Sequence, residues 1–230
     1  SAVRRQFFKD AQLPRFSGFV AFRGTCDADR LPGHFRPHDV QLWIAPDAHL
    51  VAYPVSGGAR VNVVVISRST WNKPGWSESV DGSEVRSLLS PTHWGPAIAP
   101  LARAIDGWTK WAMFAMPDCV WARDRVALIG DASHAMLPFA AQGAGMAIED
   151  AAVLAWCLTN DVNNVAQATR HYGELRHARV ENVRRLARRN GKIYHMTGPL
   201  GLARDLSMKL LGGNNLLARQ AWIYDWKPPL

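Results

Sequence analysis

Cysteine is sparse and scattered. The three residues, Cys26, Cys119 and Cys157, form no CxxC pair, which argues against a disulfide framework or a zinc ribbon and fits a reducing cytosol. Long apolar runs are missing as well. No stretch of about 18 uncharged apolar residues occurs, so neither a transmembrane helix nor a membrane partner is expected. The opening residues, Ser1 to Phe7, show no initiator Met and no apolar signal-peptide core, and read as a sequence entered mid-domain. Acidic residues are the scarcer charge, 19 against 27 Lys and Arg, and the excess is local: seven Arg and two Glu lie between Arg170 and Arg189. Aromatic interleaving and a known nucleic-acid-binding motif are both absent there. The run therefore reads as a solvated helix face, with no nucleic-acid partner expected. Mild attraction for an anionic small substrate is compatible with it.

What is present is the composition of a globular protein, 48% hydrophobic and 20% charged over 230 residues, enough for one large domain or two small ones. The first hundred or so residues read mainly as strands: Phe16–Gly24, Val40–Ala45, His49–Val55 and Arg60–Arg68, with Pro46-Asp47 and Ser56-Gly57-Gly58 as turns. This pattern predicts an antiparallel meander in which Val61–Ile66 is central. Ser69 to Gly82 reads as a polar loop, Glu84–Ser90 and Pro96–Ile105 as short helices, and Trp108–Met116 as strand. Arg125–Asp131 reads as a short buried strand, Ala132–Ala141 as a loop, and Gln142–Leu158 as an apolar helix. A longer helix from Asn164 to about Asn190 repeats apolar residues at Tyr172, Leu175, Val183 and Leu186, and Gly191 is placed to end it. Pro199–Leu211 and Leu216–Trp226 complete an α+β chain with C-terminal helices.

The chemistry concentrates between Gly130 and Ala151. A strand ending in Gly130-Asp131 turns sharply and leaves a carboxylate at its C-terminal edge, where sugar hydroxyls can donate hydrogen bonds to it. Pro138 stiffens the loop that follows. Gly143-Ala144-Gly145 then open a helix, and small residues there leave backbone N–H groups exposed at the positive end of the helix dipole. Together these suit a ligand with both a polyol and an electron-accepting ring, such as a flavin. The competing reading is a strand–loop–helix packing unit with Asp131 as a structural cap. Gly143-Ala144-Gly145 is not a dinucleotide fingerprint, because Ile148 stands at the sixth position and a ten-residue loop separates it from the strand.

Arg125-Val126-Ala127-Leu128-Ile129-Gly130-Asp131-Ala132 and Gln142-Gly143-Ala144-Gly145-Met146-Ala147-Ile148-Glu149-Asp150-Ala151 resemble the second FAD motif of flavin-dependent aromatic hydroxylases. The family is that of the para-hydroxybenzoate hydroxylase fold, in its branch of salicylate hydroxylase, 3-hydroxybenzoate 6-hydroxylase and 6-hydroxynicotinate 3-monooxygenase. Pro14–Gly18, His49–Val55 and Arg189-Asn190-Gly191 are similar to that branch too. The resemblance implies an antiparallel substrate sheet plus the strand–loop–helix part of an FAD-binding α/β domain. It divides the chain into 1–12 (the tail of an Asp-Gly motif serving FAD and NAD(P)H, with Arg4), 13–118 (substrate sheet), 119–160 (second part of the FAD domain) and 161–230 (helices). It implies Gly130, Asp131, Pro138, Gly143, Ala144 and Gly145 around FAD, with Ala144 and Gly145 N–H groups toward the flavin ring. The family's Gly-rich first motif has no counterpart here, so this stretch alone is expected to bind FAD weakly and to lack turnover.

His49 and Tyr53 are four apart on a strand, so both point to one face. On residues alone they read as ordinary polar positions. The resemblance implies a substrate pair, His49 with a near-neutral pKa taking a phenolic proton and Tyr53 orienting a hydroxyl or carboxylate. It further implies NADH or NADPH and O2 as co-substrates, an aromatic or heteroaromatic hydroxy acid as substrate, and a cytoplasmic setting, with a homodimer left open. An epoxidase- or halogenase-like relative and a non-catalytic aromatic-binding remnant are the alternatives. His34 and His38 flank Pro37 and are not expected to bind metal, and His134 reads as structural.

Overall fold

Alternating burial builds the larger sheet. In the computed structural model, which describes residues 1–35 and 39–228, the strands are β1 (Arg15–Asp27), β2 (Gln41–Ala45), β3 (Ala48–Val55), β4 (Arg60–Arg68), β5 (Ser77–Val80), β6 (Trp108–Ala115), β7 (Ala122–Arg123) and β8 (Val126–Ala127). The helices are α1 (Ala2–Phe7), α2 (Gly82–Leu88), α3 (Pro91–Trp94), α4 (Ala99–Ala104), α5 (Asp131–His134), α6 (Gly143–Asn160), α7 (Val165–Tyr194), α8 (Gly198–Ala218) and α9 (Ala221–Tyr224). Two units divide the chain: Phe16–Met113 with Ile193–Asp205, and Ser1–Arg15 with Phe114–Lys192 and Leu206 onward. The short segment after Lys192 thus joins the sheet unit, which the division at residue 161 does not anticipate.

In the sheet unit the strand order is β2-β3-β4-β1-β6-β5. β2–β3, β3–β4, β1–β4 and β5–β6 pair antiparallel, so the predicted meander is there with β1 inserted beside β4. The polar stretch Ser69–Gly82 contributes the edge strand β5, whose Ser77-Glu78-Ser79 offers little apolar signal. One face of the sheet carries the core: Val20, Phe22 and Cys26 from β1, Leu50 and Ala52 from β3, and Val61, Val63 and Val65 from β4. Burial of each such aliphatic side chain contributes about 1.5–3 kcal/mol. Leu89, Ile98, Leu101 and Trp108 cover this face. Because side chains alternate, His49 and Tyr53 of β3 project from the opposite face, in register with Ile66 and Asn62 of β4.

The second unit is helical, with β7 and β8 as a two-residue hairpin. The predicted strand Arg125–Asp131 is confined to Val126–Ala127, paired with β7; beyond it Leu128 N donates to Trp121 O at 2.8 Å, and the strand goes no further. Val153 and Cys157 of α6 pack on Ala168 and Tyr172 of α7, and Met146 on Val180 and Val183. Two expectations for α7 are corrected. Gly191 does not end the helix; it lies inside it, where a Cβ would stand 2.5 Å from Phe139 Cδ2. Nor is the arginine run wholly solvated: Arg176, Arg179 and Arg184 are buried, and Arg170 before them and Arg185, Arg188 and Arg189 after them face water. The buried three are tolerated because each has acidic partners. Arg176 meets Asp150 and Glu149 of α6 at 2.8 Å, Arg179 meets Glu149 at 2.9 Å, and Arg184 meets Glu181. Arg176 and Arg179 also stack on Trp226, at 5.0 and 5.2 Å from its ring centre.

Candidate functional site

Gly130 makes the turn that presents Asp131. Its backbone sits at φ 56°, ψ −140°, a region almost reserved for glycine. Its N–H donates to Asp150 Oδ2 at 2.9 Å, and its carbonyl accepts from Ser133 N and His134 N, both at 2.9 Å. A Cβ on Gly130 would stand 3.0 Å from Ala147 Cβ, so the turn rests against the second turn of α6. Asp131, first residue of α5, is exposed.

The base under this turn is a buried polar cluster. Asp150 is fully buried and also accepts from His134 Nε2 at 2.6 Å and Arg176 Nε at 2.8 Å. Burial pushes the Asp150 carboxyl up, but the hydrogen bonds from His134 and Gly130 outweigh it and hold the group below the usual carboxylate range. His134 is thus a structural partner here. Arg4 supports the far end of α5: its Nη1 donates to the carbonyls of Ala132 at 3.1 Å and Ser133 at 3.0 Å, while Nη2 pairs with Asp118 at 3.2 Å. A cation at the end of a helical turn suits its carbonyls.

Pro138 is exposed at the start of a 3-10 turn, Pro138–Ala140, with Phe139 buried behind it. Asn190 Nδ2 donates to Phe139 O at 3.0 Å and ties this turn to α7. Ala141 takes a left-handed conformation, φ 52°, and α6 begins at Gly143. Met146 N, bonded to Gln142 O at 2.9 Å, opens the helical ladder, so the N–H groups of Gly143, Ala144 and Gly145 precede it and have no helical acceptor. The Gln142 side chain makes no capping bond, and the first turn has no acidic residue. These donors, an exposed carboxylate on a braced turn and an exposed proline lie on one stretch of one unit. That donor set fits a flavin: a carboxylate for ribityl hydroxyls, N–H groups for the electron-rich edge of the ring, and no acid at the helix start to repel it.

In the sheet unit His49 is buried, 2% exposed, and its Nδ1 lies 3.0 Å from His195 Nε2. Desolvation, then the neighbouring His195, push the His49 imidazole down to about 3, so the near-neutral value expected from sequence does not hold in this structure. Tyr53 is half-buried opposite Asn62. Asn62 accepts from Thr25 Oγ1 at 3.3 Å. His34 is exposed, whereas His38 lies outside the described residues. Among the described residues no group of His, Cys, Asp and Glu could hold a metal ion, and no helix is long and apolar enough to cross a membrane.

Sequence reasoning passed over Asp150, Arg176 and His195. An acidic pair on an otherwise apolar helix, followed by an arginine-rich one, was a usable signal for the first two. Nothing in the local sequence marks His195.

A six-stranded sheet and a Gly-Asp turn braced on a glycine-opened helix match the salicylate hydroxylase type of fold. A solved salicylate hydroxylase substrate complex superposes with a TM-score of 0.81 at 28% identity, over 99% of this chain and 59% of that one. The chain belongs to the FAD binding domain family, whose pattern matches residues 19–187. It is 37% identical to a 3-amino-4-hydroxybenzoate 2-monooxygenase of Streptomyces platensis, over 99% of this chain and 56% of that protein. It is 31% identical to the 3-hydroxybenzoate 6-hydroxylase of Klebsiella oxytoca, again over 99% and 56%. The chain therefore spans about half the length of these relatives.

Proposed function

We propose that this chain supplies the substrate sheet and the second half of the FAD site of a monooxygenase. In the intact protein it hydroxylates an aromatic or heteroaromatic hydroxy acid with NADH or NADPH and O2. The observation that carries this reading is the Gly130–Asp131 turn locked onto α6 through Asp150. Bound FAD would supply the redox chemistry, accepting hydride from the nicotinamide and passing oxygen to the substrate ring. The chain's own residues do the rest. Asp131 accepts from ribityl hydroxyls, and the Ala144 and Gly145 N–H groups stabilise negative charge at the ring edge. Pro138 offers a rigid apolar surface beside them, and Arg4 acts on the site through the α5 carbonyls it holds. His49 and Tyr53 contact the substrate from the sheet. Three free thiols support a reducing, cytoplasmic setting.

The test is the full-length protein carrying Asp131→Ala, with flavin content read by absorbance after gel filtration. The variant should lose most of its flavin while keeping its helical circular dichroism. Wild-type flavin content would refute the assignment. In the unsubstituted protein, aromatic hydroxy acids should stimulate NAD(P)H oxidation and emerge one oxygen heavier by mass spectrometry.

A further inference from the structure

His195 lies in the short connection between α7 and α8, a place where sequence gives no reason to expect chemistry. The structure fixes it firmly. Arg204 Nη1 takes the carbonyls of Ile193 at 3.2 Å, Tyr194 at 3.1 Å and Met196 at 3.4 Å, which holds the backbone on both sides of His195. The imidazole stacks on Phe19 of β1, with ring centres 4.7 Å apart at 27°. Tyr194 lies against the His49 ring at 5.3 Å. Both histidines are buried, 2% and 4% exposed, and their facing nitrogens are 3.0 Å apart.

Two imidazole nitrogens at that distance form a hydrogen bond only if one carries hydrogen and the other a lone pair. The pair therefore shares one hydrogen across the contact, and the tautomers of the rings are linked. If His49 Nδ1 holds it, His49 Nε2 is an acceptor; if His195 Nε2 holds it, His49 Nε2 is a donor. A buried His49 is a poor place to leave a positive charge. Passing the proton on leaves His49 neutral; the charge comes to rest on His195, equally out of water, and is offset by the phenolate formed in the same step.

The geometry points to His195 as the positioning residue for His49, setting its tautomer and taking on the proton that His49 draws from a phenolic substrate. This rests on the substrate reading of His49 given above. The step balances. The phenol O–H bond breaks and a His49 Nε2–H bond forms. The His49 Nδ1–H bond breaks and a His195 Nε2–H bond forms. The products are a phenolate, a neutral His49 and a His195 imidazolium, with no net change in charge. The phenolate is the more electron-rich ring and the better acceptor of oxygen.

The experiment uses the full-length, FAD-loaded protein and its His195→Gln and His195→Leu variants, with 3-hydroxybenzoate as the probe. Glutamine can donate or accept a hydrogen bond but cannot carry the proton; leucine can do neither. Ultraviolet difference spectra report the bound phenolate, and rapid mixing separates flavin reduction from hydroxylation. Both variants should bind the probe within about threefold of wild type and reduce flavin at a similar rate, with hydroxylation slowed about a hundredfold and the phenolate band lost. Wild-type hydroxylation and phenolate in His195→Gln would overturn the proposal. So would equal losses of binding, flavin reduction and hydroxylation in both variants, which would mark a purely structural role. Nitrogen-15 NMR reads the pairing without turnover: the His49 ring resonances should shift in both variants, and unchanged resonances would overturn the pairing. Failure of the wild-type protein to bind any phenolic acid would instead remove the substrate reading, while the NMR result still decided whether the two rings are coupled.

Discussion

The Asp150 carboxylate accepts the Gly130 N–H at 2.9 Å, across twenty positions of sequence, at the one residue whose φ of 56° creates the Asp131 turn. The same carboxylate neutralises Arg176, so a single side chain serves the turn and the helix pairing together. Asp150→Asn should destabilise the protein by about 3 kcal/mol, because Arg176 loses the fully buried one of its two anionic partners. Urea unfolding measures this. Amide exchange at Gly130 should speed up in parallel, and unaltered exchange there would show that the turn stands without Asp150.

Gly191 admits the edge of Phe139, whose Cδ2 and Cε2 would lie 2.5 and 2.6 Å from an added Cβ. Gly191→Ala should therefore cost about 1–3 kcal/mol by overpacking, even though alanine is the better helix former. Thermal unfolding measures the loss. A stabilised variant would mean that Phe139 moves aside freely.

Acid should act through His49. Its imidazole is held well below its ordinary value of 6.5, at about 3, so the unfolded chain binds the extra proton between those limits. Stability from this group is therefore complete above about pH 6.5 and falls as pH drops toward 3, by up to about 1.4 kcal/mol per pH unit. His49→Gln should flatten the urea midpoint against pH across that window. An identical profile in the two proteins would show that His49 titrates normally.

Arg4 joins the first helix to the two carbonyls at the end of α5. Arg4→Leu should lower stability by about 2 kcal/mol, since hydrogen bonds from a charged donor are lost and carbonyls are left bare. The effect should show as faster amide exchange in residues 131–135 and, on the flavin reading, as weaker FAD retention. Retention equal to wild type despite loosened exchange would separate Arg4 from the cofactor site.

Period-two burial made the sheet readable. The four-residue spacing of His49 and Tyr53 on one strand sets them on one face, and they pair with Ile66 and Asn62 of β4 in that register. The glycines of α6 and the Gly-Asp turn were equally visible, because backbone demands leave a compositional trace. Three features were not. Gly191 looked like a terminator because a helical glycine usually marks an end, and only the arrival of Phe139 from fifty-two positions away explains it. Arg176, Arg179 and Arg184 looked solvated because charge is normally outside; their acids stand on another helix or three residues away along α7. The depressed pKa of His49 comes first from its burial and then from His195, 146 positions distant, which no local pattern encodes.

The arginines buried on α7 have a consequence for heredity. Because Glu149 and Asp150 answer cations on another helix, neither partner can change alone without stranding a charge away from water. Exchange of segments among related genes should therefore succeed when both helices travel together and fail when a crossover falls between residues 150 and 176.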